Sequence, residues 1–246
     1  MFKPELCNRD SIRAIDQVSI EQFKIPGLLL MEHASIGVAQ CATDLLLQNR
    51  DTIVDNKIVV CCGPGGNGGD GFAVARHLHC LGAAVQILDL AHQSEHTDRS
   101  TNRSICQQLG IPVQQQLESP AGAVLESTDL VIDALLGSGI SRLPEGAIAT
   151  AIDWINEQPS PVVSVDLPSG LMADSGEAPG KVVEATRTAT LCLPKPGFLE
   201  PRGRQVVGEL WICPIGAPAQ LLHGPAPGFP PVPTPLELEP GFPLRR

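Results

Sequence analysis

A chain of 246 residues is long enough to bury a sizeable core as one large domain or two small ones. A hydrophobic fraction of 43% with 18% charged residues is the balance of a globular protein and excludes a disordered one. The net charge of −10 argues against nucleic acid as a partner, and with no Tyr and 3% aromatics, base stacking and tyrosine acid/base chemistry are poorly supplied.

The first ten residues carry acidic side chains and lack the apolar core of a signal peptide. Asp10 or Ser11 is placed to cap a first helix with apolar positions Ile12, Ile15 and Val18, which Pro26-Gly27 breaks. A second helix over 28–47 is apolar on most sides and is expected to be buried. From Lys57 the rhythm changes to short apolar runs separated by helical stretches. Strands are predicted over 58–62, 84–90, 129–136 and 161–167, with helices over 70–81, 101–109 and 147–156 between them. Residues 92–99 read as a polar loop. Two last strands, 188–193 and 208–213, follow with no helix predicted between them. After His223 the chain is rich in Pro and Gly, so the expected organisation is one domain over 1–223 and a disordered tail over 224–246. No run of 18 apolar residues exists to span a membrane.

The alternation of strands and helices implies an α/β fold with a mostly parallel sheet and helices on both faces. Eight cysteines show neither a C-x-x-C pair nor zinc-ligand spacing with His, and most sit in apolar runs. They read as buried reduced thiols, which suits a cytoplasmic protein.

Three strand-end loops carry the chemistry, and ligands of such sheets sit beyond the carboxyl ends of the strands. The first reads Gly63-Pro64-Gly65-Gly66-Asn67-Gly68-Gly69-Asp70-Gly71. Glycines at this density mean that the backbone approaches something closely or adopts positive φ. Free N–H groups at the following helix start suit an anion such as phosphate. A P-loop would need Lys and Ser/Thr where Asp70 stands, so that reading fails. The dinucleotide fingerprint is formally matched by Gly63, Gly65 and Gly68, with Asp89 as the ribose acid, but Asp70 would repel a pyrophosphate. The second loop, Asp133-Ala134-Leu135-Leu136-Gly137-Ser138-Gly139-Ile140-Ser141-Arg142, offers N–H and hydroxyl donors for a phosphate. The third is Ser164-Val165-Asp166-Leu167-Pro168-Ser169-Gly170. Asp133 and Asp166 end buried strands, where a carboxylate must be paired, hydrogen-bonded or metal-bound, or else serves as a turn former. Asn67, Asp133 and Ser169 supply oxygen ligands only, which suits a hard cation, and one carboxylate among neutral oxygens suits potassium better than calcium.

Together with Leu193-Pro194-Lys195-Pro196-Gly197 and the opening Ile25-Pro26-Gly27-Leu28-Leu29-Leu30-Met31-Glu32, these loops resemble the NAD(P)H-hydrate epimerase family over about Arg13 to Pro218. The resemblance implies a Rossmann-like three-layer αβα sandwich and an isomerase of nicotinamide cofactor repair. Its substrate would be hydrated NADH or NADPH (NADHX or NADPHX), interconverted between R and S forms. By position, Asn67, Asp133 and Ser169 would hold potassium. Gly66, Asn67, Gly68, Gly69 and Asp70, with Gly137, Ser138, Gly139, Ile140, Ser141, Arg142 and Leu143, would bind substrate. Asp166 would lie next to the reacting ring as general acid/base. Lys195 is the second candidate participant, the alternative being a surface or phosphate-binding lysine. Many members carry a fused dehydratase domain that is not visible in this sequence, so action beside a separate NAD(P)HX dehydratase is expected, and a homodimer is expected as well.

Two positions depart from the family pattern: Gly66 stands where the first of two loop asparagines is usual, and His33 replaces a frequent asparagine after Met31-Glu32. The rival readings are a non-catalytic nucleotide-binding module, since related domains occur in scaffold proteins, and an NAD-dependent dehydrogenase using the formal fingerprint. The presence of Asn67, Asp133, Asp166 and Ser169 together favours the enzyme.

Overall fold

Unbroken apolar runs such as Ile58-Val-Val-Cys-Cys62 have nowhere to go but a sheet covered on both faces. A computed structural model describes residues 5–91, 97–115, 128–140, 142–222 and 234–236. In chain order its elements are helices α1 (Arg9–Glu21) and α2 (Gly27–Leu47), strand β1 (Lys57–Cys62), α3 (Gly66–Cys80), β2 (Ala84–Asp89), α4 (Thr97–Gln108), β3 (Val113–Gln114) and β4 (Leu130–Ala134). They continue with α5 (Gly146–Glu157), β5 (Val162–Val165), β6 (Arg187–Leu191), α6 (Pro201–Val206), β7 (Glu209–Cys213), α7 (Ala219–Leu222) and β8 (Thr234–Leu236). The strands form one sheet in the order β3-β2-β1-β4-β5-β6-β7-β8, parallel except where β8 runs against β7.

Strand alternation divides the core in two. Ile58, Val60 and Cys62 of β1 join Leu130, Ile132 and Ala134 of β4 beneath α2 and α3, with Cys106 of α4 at the margin. Val59, Cys61 and Val131 face the other way, against Ala151, Ile152 and Ile155 of α5. Leu167, Val182, Phe198 and Val206 form a further cluster with Leu210 of β7. The three-layer α/β expectation is therefore met. Helix α1 sits apart from these layers, its Ile12 and Ile15 packed on Cys192, Leu193 and Ile215 just past the ends of β6 and β7. That placement lays α1 along the edge where the loops gather.

Several boundaries differ from the sequence expectation for local reasons. The N-cap of α1 is Asn8, whose side chain accepts from the Ser11 N–H at 2.8 Å, and not Asp10 or Ser11. Helix α3 begins at Gly66 instead of Asp70, so most of the glycine loop is helical. Glycine is a poor helix former, but tight packing overrides propensity here: a Cβ at Gly68 would lie 2.0 Å from the Gly63 carbonyl oxygen. Helix α4 starts at Thr97, which places Asp98 and Arg99 on a helix where a loop was expected. Between β6 and β7 a 3-10 turn (Pro196–Leu199) and α6 replace the expected helix-free link, because parallel neighbours require a crossover. In the expected tail, Thr234–Leu236 pair with β7, while 223–233 and 237–246 lie outside the described residues.

The thiols are free; seven of the eight are buried and Cys80 is exposed. Burial pushes Cys41 and Cys106 up to about 12, which makes them inert packing residues. Among the described residues no helix is long and apolar enough to cross a membrane.

Candidate functional site

Strand order reverses between β1 and β4: β2 and β3 extend one side, β5 to β7 the other. At such a switch point neighbouring loops diverge and leave a crevice. Here the loops after β1 and β4 are pressed together first. The Gly63 N–H donates to the Ala134 carbonyl at 3.0 Å, and a Cβ on Gly63 would fall 1.7 Å from the Leu135 carbonyl oxygen. Only glycine permits that approach. Beyond it opens a cavity of about 600 Å³, bordered by Gly65, Gly66, Asn67 and Asp70 of the first loop and Gly137, Ser138, Gly139 and Ile140 of the second. Asp166 of the third loop, Asp16 of α1, Met31 of α2 and Asp98 of α4 also line it. The Arg9 guanidinium donates to the Ile140 carbonyl at 3.2 Å, bracing the second loop from α1.

Beneath the cavity Asp133 is fully buried. Its carboxylate accepts from the Ser164 hydroxyl (2.8 Å), the Ser169 N–H (2.9 Å) and hydroxyl (2.5 Å), and the Leu135 N–H (3.3 Å). Burial pushes the carboxyl upward and these donors pull it back. Ser169 in turn accepts from the Leu136 N–H at 2.9 Å, so β4 and β5 loops are stitched by one acid and one serine. Asn67 lies against Gly137, where a Cβ would be 3.3 Å from the Asn67 side chain, and its buried Nδ2 has no hydrogen-bond partner among the described residues.

Asp166 sits on strained backbone. Its φ is 71°, and the Leu167 N–H donates across it to the Val165 carbonyl at 2.9 Å, a three-residue γ-turn at the end of β5. Cys192 (φ 66°) does the same at the end of β6, between Leu193 N–H and Leu191 O at 2.9 Å. Two sharp turns at neighbouring strand ends point both residues at the cavity wall. The Asp166 carboxylate is ion-paired with Lys195 and accepts from the Ser138 N–H at 3.1 Å. Lys195 is fully buried and spends its other donors on Thr190 Oγ1 (2.7 Å) and the Leu191 carbonyl (2.9 Å). Lys195 is therefore not a surface lysine.

Comparison with known proteins places this geometry. Residues 27–197 match the family model described as YjeF-related protein N-terminus. The NAD(P)H-hydrate epimerase of Rhodopirellula baltica is 34% identical over 221 residues, covering 89% of this chain and 87% of that one. The NAD(P)H-hydrate epimerase of Limosilactobacillus fermentum is 40% identical over 203 residues, covering 82% and 92%. The chain belongs to the NAD(P)H-hydrate epimerase family. Among its relatives is a bifunctional NAD(P)H-hydrate repair enzyme of Pyrobaculum aerophilum, 37% identical over 211 residues, of which this chain covers 41%. The crystal structure of the yeast protein YNL200c superimposes with a TM-score of 0.77 at 21% identity, over 94% of this chain and all of that one, and shows the same fold.

For an NAD(P)H-hydrate epimerase family member, the carried-over residues divide clearly. Gly66, Asn67, Asp70, Asp166 and the stretch Gly137, Ser138, Gly139 and Ile140 meet at one cavity. Gly68 and Gly69 are buried behind it, Gly69 against Met31. Arg142 and Leu143 are exposed and do not line it, and Ser141 lies outside the described residues. Asp133, Ser169 and Lys195 lie beneath, fully buried. His33 is exposed and lies beside Gly216, where a Cβ would be 3.5 Å from its ring. Asp89, the ribose acid of the dehydrogenase reading, is unavailable: its side chain is buried and paired with Arg99 and Arg103. Arg99 also donates to the Gly63 carbonyl at 2.8 Å, propping the first loop.

Sequence reasoning passes over Asp16. Nothing in the α1 pattern separates it from a solvent-facing acid; only the docking of α1 brings it to the cavity. There burial, then the nearby Asp166, push its carboxyl up to about 6 against the opposing pull of Lys195. Asp70, more deeply buried, is pushed well above the carboxylate range by burial and by Asp166 and Asp16.

Proposed function

We propose that this protein epimerises the R and S forms of hydrated NADH and NADPH, as an isomerase of nicotinamide cofactor repair. Beyond the family relationship, the observation that carries the reading is an acid held by a buried lysine yet open to a ligand-sized cavity. In the hydrated cofactor the hydroxyl sits on a carbon bonded to the ring nitrogen. Loss of that hydroxyl as water, assisted by the nitrogen lone pair, gives an iminium ion, and water returns to either face. Asp166 serves as general acid/base and as the negative partner of the developing cation, while Lys195 and the Ser138 N–H fix its orientation. The N-terminus of α3 at Gly65, Gly66 and Asn67, together with Gly137, Ser138 and Gly139, supplies N–H groups for the anionic part of the substrate. Burial and the neighbouring Asp166 and Asp16 push the Asp70 carboxyl upward, which weakens its repulsion of that charge.

Asn67, Asp133 and Ser169 fit a monovalent cation by donor chemistry: one buried carboxylate, neutral oxygens, and a buried amide whose nitrogen has no hydrogen-bond partner among the described residues. These residues would hold potassium, which would supply a fixed positive charge under the substrate-binding loops. Of the described residues in the substrate-binding stretch 137–143, the first four line the cavity and Arg142 and Leu143 do not. A cytoplasmic homodimer acting beside a separate NAD(P)HX dehydratase completes the reading. The bifunctional repair relatives, of which this chain spans about two fifths, support a companion activity.

The test is direct. Purified protein mixed with one hydrated epimer, followed by chromatography, is expected to bring the epimers to equilibrium far faster than buffer, and faster in potassium than in a potassium-free medium. A time course no faster than buffer rejects the enzyme and leaves the binding module.

A further inference from the structure

Among the described residues four carboxyl groups border the cavity from four elements: Asp16 on α1, Asp70 on α3, Asp98 on α4 and Asp166 after β5. Asp166 is committed to Lys195 and Ser138. Asp16 feels burial and the charges of Asp166 and Lys195, and has no hydrogen bond or ion pair with any described residue. A half-buried carboxyl that faces a cavity without a partner among the described residues is placed to take its partner from the cavity.

The chemistry asks for a second group. Epimerisation through an iminium ion releases water from one face of the ring and takes it up on the other. One carboxyl fixed by a γ-turn and a buried lysine serves one face. We infer that Asp16 is a second catalytic residue, the general acid/base for the ring face that Asp166 does not reach. This rests on the epimerase reading above. In one direction the Asp16 carboxyl gives its proton to the departing hydroxyl oxygen. The C–O bond breaks, its electron pair leaves with water, and the ring nitrogen lone pair forms C=N⁺. Water in the cavity then adds from the other face: its oxygen forms the new C–O bond, the C=N⁺ pair returns to nitrogen, and Asp166 takes the released proton. Both carboxyls re-equilibrate with solvent through the cavity mouth, and the other epimer reverses the roles.

The two acids are set apart as the task requires. Asp166 is ion-paired with Lys195, whereas Asp16 makes no ion pair with a described residue and is raised by burial and by Asp166 against the pull of Lys195. The groups that face Asp16 across the cavity are Arg13 on its own helix, Asp70 on α3, Asp98 on α4, Asp166 after β5, and Cys192 and Lys195 after β6. Arg13 is exposed, so its charge is screened more than those of the buried groups.

The experiment compares steady-state epimerisation by the wild type, Asp16→Asn, Asp16→Glu and Asp166→Asn from about pH 5 to 8. With the epimer whose hydroxyl Asp16 protonates, wild-type kcat is expected to fall as pH rises through the region near 6, where Asp16 loses its proton, and with the other epimer to rise there. Asp16→Asn is expected to lower kcat about 100-fold with KM little changed and to flatten that limb; Asp16→Glu is expected to restore part of the rate. Full rate with an unaltered pH profile in Asp16→Asn overturns the inference. So does a raised KM at unchanged kcat, which makes Asp16 a binding residue. An inactive wild type overturns the epimerase reading as well, so the two failures are distinguishable. Should Asp16→Asn not fold, Asp16→Glu carries the same comparison.

Discussion

Two acids end parallel strands on the same edge of the sheet, and they have opposite fates. Asp89, at the end of β2, has a fully buried side chain caught between Arg99 and Arg103, and through Arg99 it props the Gly63 carbonyl. Asp166, just past β5, has one buried cation, a turn with positive φ, and an opening to the cavity. Asp89 is saturated by charge and is part of the scaffold. Asp166 is oriented by charge and keeps a side free for a ligand. A strand-end carboxylate becomes a site residue through what it has left over, and that is set by the helix or loop packed against it.

The comparison can be broken in four ways. Asp166→Asn should lower epimerisation about 1,000-fold while the protein stays folded, read by chromatographic turnover alongside a melting curve. Asp89→Asn should show the reverse profile. With two guanidiniums left facing a neutral amide, unfolding free energy should fall by about 3–5 kcal/mol in denaturant titration, while turnover per folded molecule persists. If Asp89→Asn is instead as stable as the wild type and inactive, the assignment of scaffold and site is inverted. Lys195→Gln should fall between the two, losing about 100-fold in kcat and some stability, since it both orients Asp166 and fills a dry position.

The smallest effect is a gain. Asp16 has a folded pKa raised from 3.8 to about 6, so folding favours its protonated form. Its stabilising contribution is complete below the unfolded pKa and is lost as pH rises through the folded one. Asp16→Asn should therefore raise Tm at pH 7 by about 2–5 °C, and the gain should vanish below about pH 4. A scan showing the same Tm difference at both ends would mean that Asp16 is not perturbed. A stabilised, slowed variant is what a strained functional acid predicts.

Much of this arrangement was legible in the chain. Alternating runs and spacers gave the parallel sheet, because strands covered on both faces must be apolar throughout. The dense glycines announced a close backbone approach, and the collision a side chain at Gly63 would meet shows which approach it was. The extent of α3 was not legible, since helix propensity argues against glycine and only packing on the Gly63 carbonyl explains it. Helix α6 was hidden in a short Pro201-Arg-Gly-Arg stretch with weak periodicity. Arg99 was read as part of a polar loop, yet it is among the largest fully buried side chains, because its charge is answered by Asp89.

What the sequence determines by itself is the local order: which runs are strands, which turns need glycine, and which oxygen-bearing residues stand at strand ends. These follow from periodicity and backbone sterics, which act over a few residues. Only the tertiary structure decides that Lys195 is buried under Asp166, that Asp89 is consumed by arginines, and that Asp16 reaches the cavity. Those outcomes depend on desolvation and on charges brought near from distant elements, and neither quantity exists until the helices dock on the sheet.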